Sequence, residues 1–151
     1  MMPPCPYPIA DLLPHAAPMV LLDAVAAWDA TGITATVTIR DDTRFLQPGQ
    51  GVPAHIGLEW MAQTCGAFAG LDAMTKGEKV RPGFLLGTRG FAATRGWFHI
   101  GELLHIAARQ MFLEAGMAVF DCRIDAGTER CAEARLSVFQ PPDGAATQEL
   151  P

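Results

Sequence analysis

Three polar side chains on an otherwise apolar stretch carry the chemistry this chain could do. His55, Glu59 and Gln63 fall at i, i+4 and i+8 in P-A-H-I-G-L-E-W-M-A-Q-T-C-G-A-F-A-G-L-D-A-M, residues 53–74. On a helix, that spacing stacks them along one side. An imidazole is the side chain best placed to take up a proton near neutral pH. A carboxylate enclosed by apolar groups holds its proton more readily and can deliver it as an acid. The amide supplies hydrogen bonds. Such a line is either a solvated helix edge or the wall of a site for proton transfer. With Leu58 and Trp60 beside it, Glu59 is expected to be shielded from water.

The helix that must position them is legible from its period. Ile56, Met61, Cys65, Phe68 and Leu71 recur at spacings of three to five, while Leu58 and Trp60 fill other sides. Pro53 suits a first helical turn, where its missing N–H has no intrahelical partner to lose. About 21 residues at 1.5 Å each span roughly 31 Å. A helix apolar nearly all round must be buried, yet His55, Glu59, Gln63 and Asp72 argue against a membrane span. Gly57, Gly66 and Gly70 each cost about 1 kcal/mol of helix propensity, a loss accepted where another backbone passes close.

The 151 residues, half of them hydrophobic, are expected to form a single domain with its core over about residues 9–140 and tails at either end. A net charge of −5 without a basic cluster disfavours nucleic acid as a partner. Cys5, Cys65, Cys122 and Cys131 show no C-x-x-C spacing and read as small apolar side chains in a reducing compartment. The first ten residues lack a charged start and an apolar stretch, so a cytoplasmic protein is expected. His99 and His105 are too loosely spaced for a metal pair, and no H-E-x-x-H, phosphate-binding glycine loop or G-x-S-x-G occurs. No cofactor is expected.

Around the helix the chain reads as strands. Ile9–Leu13 is a helical turn, and Met19–Val25 enters a sheet. Ile33–Ile39 alternates apolar residues with threonine, the mark of a half-buried strand. Asp41–Gly51 is a loop feeding the helix. After the helix, Gly83–Thr88 continues into R-G-F-A-A, and Leu103–Phe112, Met117–Ile124 and Cys131–Gln140 form an antiparallel meander. One long helix wrapped by an antiparallel sheet is an α+β plan, the hot-dog fold. One sheet covers only part of such a helix, so a dimer joined through an edge strand is expected.

Four motifs in this order carry a resemblance. L-L-P-H-A-A-P-M-V-L-L-D at Leu12–Asp23 and G-L-E-W-M-A-Q at Gly57–Gln63 resemble the β-hydroxyacyl-acyl-carrier-protein dehydratases of fatty-acid synthesis. G-F-L-L-G-T-R at Gly83–Arg89 and the ending A-E-A-R-L-S-V-F-Q resemble a narrower branch, the dehydratase-like proteins of aryl polyene and related type II polyketide clusters. The resemblance implies an enzyme that eliminates water from a thioester held by an acyl carrier protein, with Glu59 as its acid and Gln63 in support. That family places its histidine in a G-H-F-P-G loop, whereas F-L-Q-P-G-Q-G-V-P here has none. Either His55 is the base or this chain lacks the usual pair.

Dehydration needs a base for the α-proton, an acid for the departing hydroxyl and donors for the enolate-like oxygen. His55 and Glu59 would supply the first two. The amides of Ile56 and Gly57 would hold the oxygen, with Gly57 admitting the ligand. His15 reads as structural, and Arg89 as holding a surface salt bridge or as facing a partner or a phosphopantetheine phosphate. Two other functions use the same residues. A hot-dog thioesterase would use Glu59 to activate water, and a weakly catalytic or non-catalytic subunit would pair with a complete dehydratase. The oligomer is expected to be a homodimer or a heterodimer with a related dehydratase.

Overall fold

The computed structural model describes residues 5–14 and 19–141. Helix α1, Ile9–Leu12, precedes strands β1, Ala24–Trp28, and β2, Gly32–Thr38. A two-residue strand β3, Val52–Pro53, leads into the long helix α2, Ile56–Thr75. Strands β4, Phe84–Ala93, β5, Trp97–Phe98, β6, Leu103–Glu114, β7, Met117–Ala126, and β8, Glu129–Phe139, complete the chain. Six strands form one antiparallel sheet in the order β1-β2-β6-β7-β8-β4, while β3 pairs only with β5. This is the α+β hot-dog arrangement, an antiparallel sheet wrapped around one helix.

Alternation sets the two faces of the sheet. Ile33, Ala35 and Val37 of β2 and Ala118, Phe120, Cys122 and Ile124 of β7 are buried, and the residues between them point away from the helix. The buried rows close on α2. The Phe68 ring meets Phe120 edge-on at 5.9 Å, and Cys65 Sγ lies 3.6 Å from Cys122 Sγ. All four cysteines are free thiols, and burial pushes the Cys65 thiol up.

The helix glycines answer to two different neighbours. A side chain at Gly70 would run into the backbone carbonyl of Leu12, so the close backbone there is α1 rather than the sheet. A Cβ at Gly57 would sit 2.7 Å from Ile124 Cδ1, at the sheet.

Several local expectations are corrected. Pro53 lies in β3 opposite Trp97, not in the first turn of α2. A two-residue ladder tolerates its missing N–H. The run Met19–Val25, read as a strand or bend entering the sheet, is strand only from Ala24, because side-chain hydrogen bonds hold the backbone of Met19 and Leu21 before it. Strand β5 is too short to show any period. Among the described residues no helix is long and apolar enough to cross a membrane.

Candidate active site

The N-terminal turn of α2 begins at the end of β3. The Ala54 N–H donates to the Gly96 carbonyl at 2.8 Å, tying the entry to the loop before β5. Its own carbonyl accepts the Gly57 N–H at 2.9 Å, and the His55 carbonyl accepts the Leu58 N–H at 3.1 Å. His55 caps the helix with φ −66° and ψ −20°, and its side chain makes no capping bond. Those dihedrals are helical, so Glu59, one turn on, lies on the same side as His55. Both side chains are exposed.

Glu59 is therefore not shielded by its own chain, contrary to expectation. Each helical residue turns about 100°, so Trp60, next after Glu59, points into the core instead, 1% exposed, with its ring 5.3 Å from that of Phe98. The sheet closes over Trp60, Met61, Thr64 and Cys65 and leaves the side bearing His55 and Glu59 open.

Gln63, next along the line, is 2% exposed. Its Nε2 donates to the Met19 carbonyl at 2.7 Å, and its Oε1 accepts the Leu21 N–H at 2.9 Å. Both ends of the amide are taken up by backbone 42 and 44 residues away, so Gln63 fastens the segment before β1 to the helix. Buried and bonded at both its oxygen and its nitrogen, the amide is oriented by backbone rather than turned out to solvent. Gln63→Leu should keep the side-chain volume but leave that carbonyl and N–H without partners, at a cost of about 2 kcal/mol. Urea unfolding should show the loss, and amide exchange should show residues 19–23 released.

Gly57 and Arg89 are also reassigned. The Gly57 N–H is bonded to Ala54 and its Cα faces Ile124, so the missing side chain accommodates the sheet and not a ligand. Of the two amides expected to hold an oxygen, only that of Ile56 lacks a backbone acceptor among the described residues. Arg89 lies on β4 opposite Arg135, whose sequence neighbours Ala134 and Leu136 are buried. It therefore projects from the face away from α2, and the sheet separates it from His55 and Glu59. His15 lies outside the described residues.

One feature had no signal in the sequence. A cleft of about 370 Å³ lies against Trp60 of α2, lined also by Val20, Leu21, Val37, Arg40 and Arg44, while His55 and Glu59 do not line it. Its walls come from three segments that only the fold brings together.

Comparison with known proteins agrees with this architecture. The family model of the ApeP-like proteins, described as ApeP dehydratase, matches residues 7–149. The dehydratase heterocomplex ApeI:P from Xenorhabdus doucetiae superposes with a TM-score of 0.86 at 28% identity, over 91% of this chain and 93% of that one. A hypothetical thioesterase protein with coenzyme A from Streptococcus pneumoniae gives 0.61 at 11% identity, over 77% and 86%. The PaaI protein of the phenylacetic acid degradation operon of E. coli gives 0.58 at 14%, over 76% and 80%. The last two share the fold alone. No curated protein matches the sequence.

Proposed function

The chain belongs to the ApeP-like dehydratase family, and from that premise we propose that it is one half of a dehydratase heterodimer of the aryl polyene type. The substrate is a β-hydroxyacyl thioester carried on the phosphopantetheine of an acyl carrier protein. The product is the α,β-unsaturated thioester, released with water. One observation carries this reading: Glu59 stands exposed on the uncovered side of α2, while the loop before the helix holds no histidine.

A related dehydratase docked along this side would enclose Glu59 and bring its own histidine to the substrate. The base takes the α-proton, the electrons form the α,β double bond, and Glu59 protonates the hydroxyl as its C–O bond breaks. The free edge of β4, where Leu85 and Leu86 are 46% and 54% exposed, is the strand to which a second sheet would pair. The cleft beside Trp60 would take the pantetheine arm. The heterocomplex that superposes over nine-tenths of this chain supports the pairing.

A second reading makes His55 the base, favoured by its helical backbone and its position one turn before Glu59. The test is dehydration of a β-hydroxyacyl carrier thioester by the chain alone, by the chain with a related dehydratase, and by His55→Ala in that mixture. The expected result is little turnover alone, full turnover in the mixture and a change under threefold for His55→Ala. Equal turnover with and without the partner would overturn the half-site reading. A loss of about a hundredfold or more for His55→Ala would make His55 the base. Release of free thiol with no double bond formed would identify a thioesterase.

A further inference from the structure

We propose that the outer face of the sheet, the face turned away from α2, is a docking surface for a carboxylate-rich protein partner. Strand register builds the surface. Arg109 on β6 stands opposite Asp121 on β7, Asp121 opposite Arg135 on β8, and Arg135 opposite Arg89 on β4. The four side chains make one cross-strand row, each outward because its sequence neighbours on β6, β7 and β8 alternate with buried positions.

The charges in this row are not balanced within the chain. Asp121 is already held by Arg135 through two bonds, of 2.7 and 3.2 Å. Arg89 then directly faces Arg135, and like charges in opposed positions destabilise a sheet. Arg89 and Arg109 have no carboxylate within 4 Å among the described residues. Asp29 acts on Arg109 from farther off, its carboxylate taken up by Thr31 and the Gly32 N–H. The next rows hold Arg123 and Arg130, which share Asp125, and Arg130 also pairs with Glu133. Five guanidiniums thus meet three carboxylates in these rows, with Asp29 a fourth at the margin, in a chain whose net charge is −5. Lacking a partner, that excess of like charge has no structural benefit.

The spacing selects the kind of partner. Neighbouring strands lie about 4.8 Å apart, so Arg109 and Arg89 stand about 14 Å apart at the backbone. An acidic helix can engage both, because its carboxylates at i, i+3 or i+4, and i+7 span about 10 Å on one side and the arginine side chains cover the remainder. Nucleic acid fits poorly. No lysine or stacking aromatic residue, on which bases would sit, lies in the charged rows.

The test uses the full chain and a fluorescent polyglutamate of about 20 residues at low salt, where the Debye length exceeds about 10 Å. An acidic protein should still bind this acidic probe, and R89E/R109E should weaken binding at least tenfold. K76E/K79E, with the same change in net charge on exposed lysines after α2, should leave it within twofold. Thermal melting checks that both variants fold. Equal weakening by the two pairs, or no binding by the unmodified chain, would overturn the proposal. So would tighter binding of an oligothymidylate of the same length, or of inorganic phosphate. None of these outcomes depends on dehydration, so the proposal and the half-site reading fail separately.

Discussion

Glu59→Gln should lower dehydration by the assembled heterodimer about a hundredfold to ten-thousandfold, the range expected when a positioned acid is removed. The substitution keeps the shape of the side chain and replaces an ionisable carboxyl with an amide that cannot act as an acid. Glu59 is exposed in the chain alone and makes no ion pair among the described residues, so neither folding nor thermal stability should change. Affinity for the partner should change little, since an uncharged amide is no harder to bury. The loss should therefore fall on kcat at constant complex concentration. Acid and base act on one elimination, so combining Glu59→Gln with loss of the base should cost little more than either change alone. Activity within threefold of the parent would remove Glu59 from the chemistry and, with it, this chain's part in the site.

Gly70→Ala should be the most damaging single change to the fold. Helix propensity alone favours alanine by about 1 kcal/mol. Against this, the new Cβ would overlap the carbonyl oxygen of Leu12, and it would also lie 2.8 Å from the Leu12 carbonyl carbon and 3.1 Å from its Cα. Backbone cannot swing aside as a side-chain tip can, so α1 must move off the helix. Leu12 and Leu13, 0% and 5% exposed, would go with it. Exposing even part of two leucines costs about 1.5–3 kcal/mol each when complete, so a net loss of about 3 kcal/mol is expected. For a chain of this size that is about 6–12 °C in melting temperature. Gly66→Ala is the control, since its Cβ would meet only the flexible Leu13 Cδ2 at 3.4 Å. Gly66→Ala should melt at or above the parent. Equal melting temperatures for the two variants would show that α1 is not held where the structure places it.

The elements readable in the sequence are those whose cause is local. Alternation of apolar residues with threonine across residues 33–39 needs only the two faces of a sheet, and β2 follows at Gly32–Thr38. The three-to-five spacing of residues 56–71 needs only a buried cylinder, and α2 follows at Ile56–Thr75. The hot-dog plan follows from their order, since one long apolar helix beside antiparallel strands has few other ways to be covered.

What the sequence could not decide depends on partners far along the chain. The line His55, Glu59, Gln63 is uniform on a helical projection. Its first two members are exposed and the third is buried, because residues 19–21 pack over one turn and, among the described residues, none is bonded over the other. Gly57 and Gly70 look alike as helix glycines, but one yields to an isoleucine tip from β7 and the other to the backbone of α1. Arg89 reads as a site residue from its motif, yet strand alternation puts it on the far side of the sheet. Its place beside Arg135 depends on register, which is set by hairpin turns and by the bulges within β4. Pattern along a chain determines which face a residue occupies within its own element. Which residues then share a surface is decided only when the elements are packed and their registers chosen.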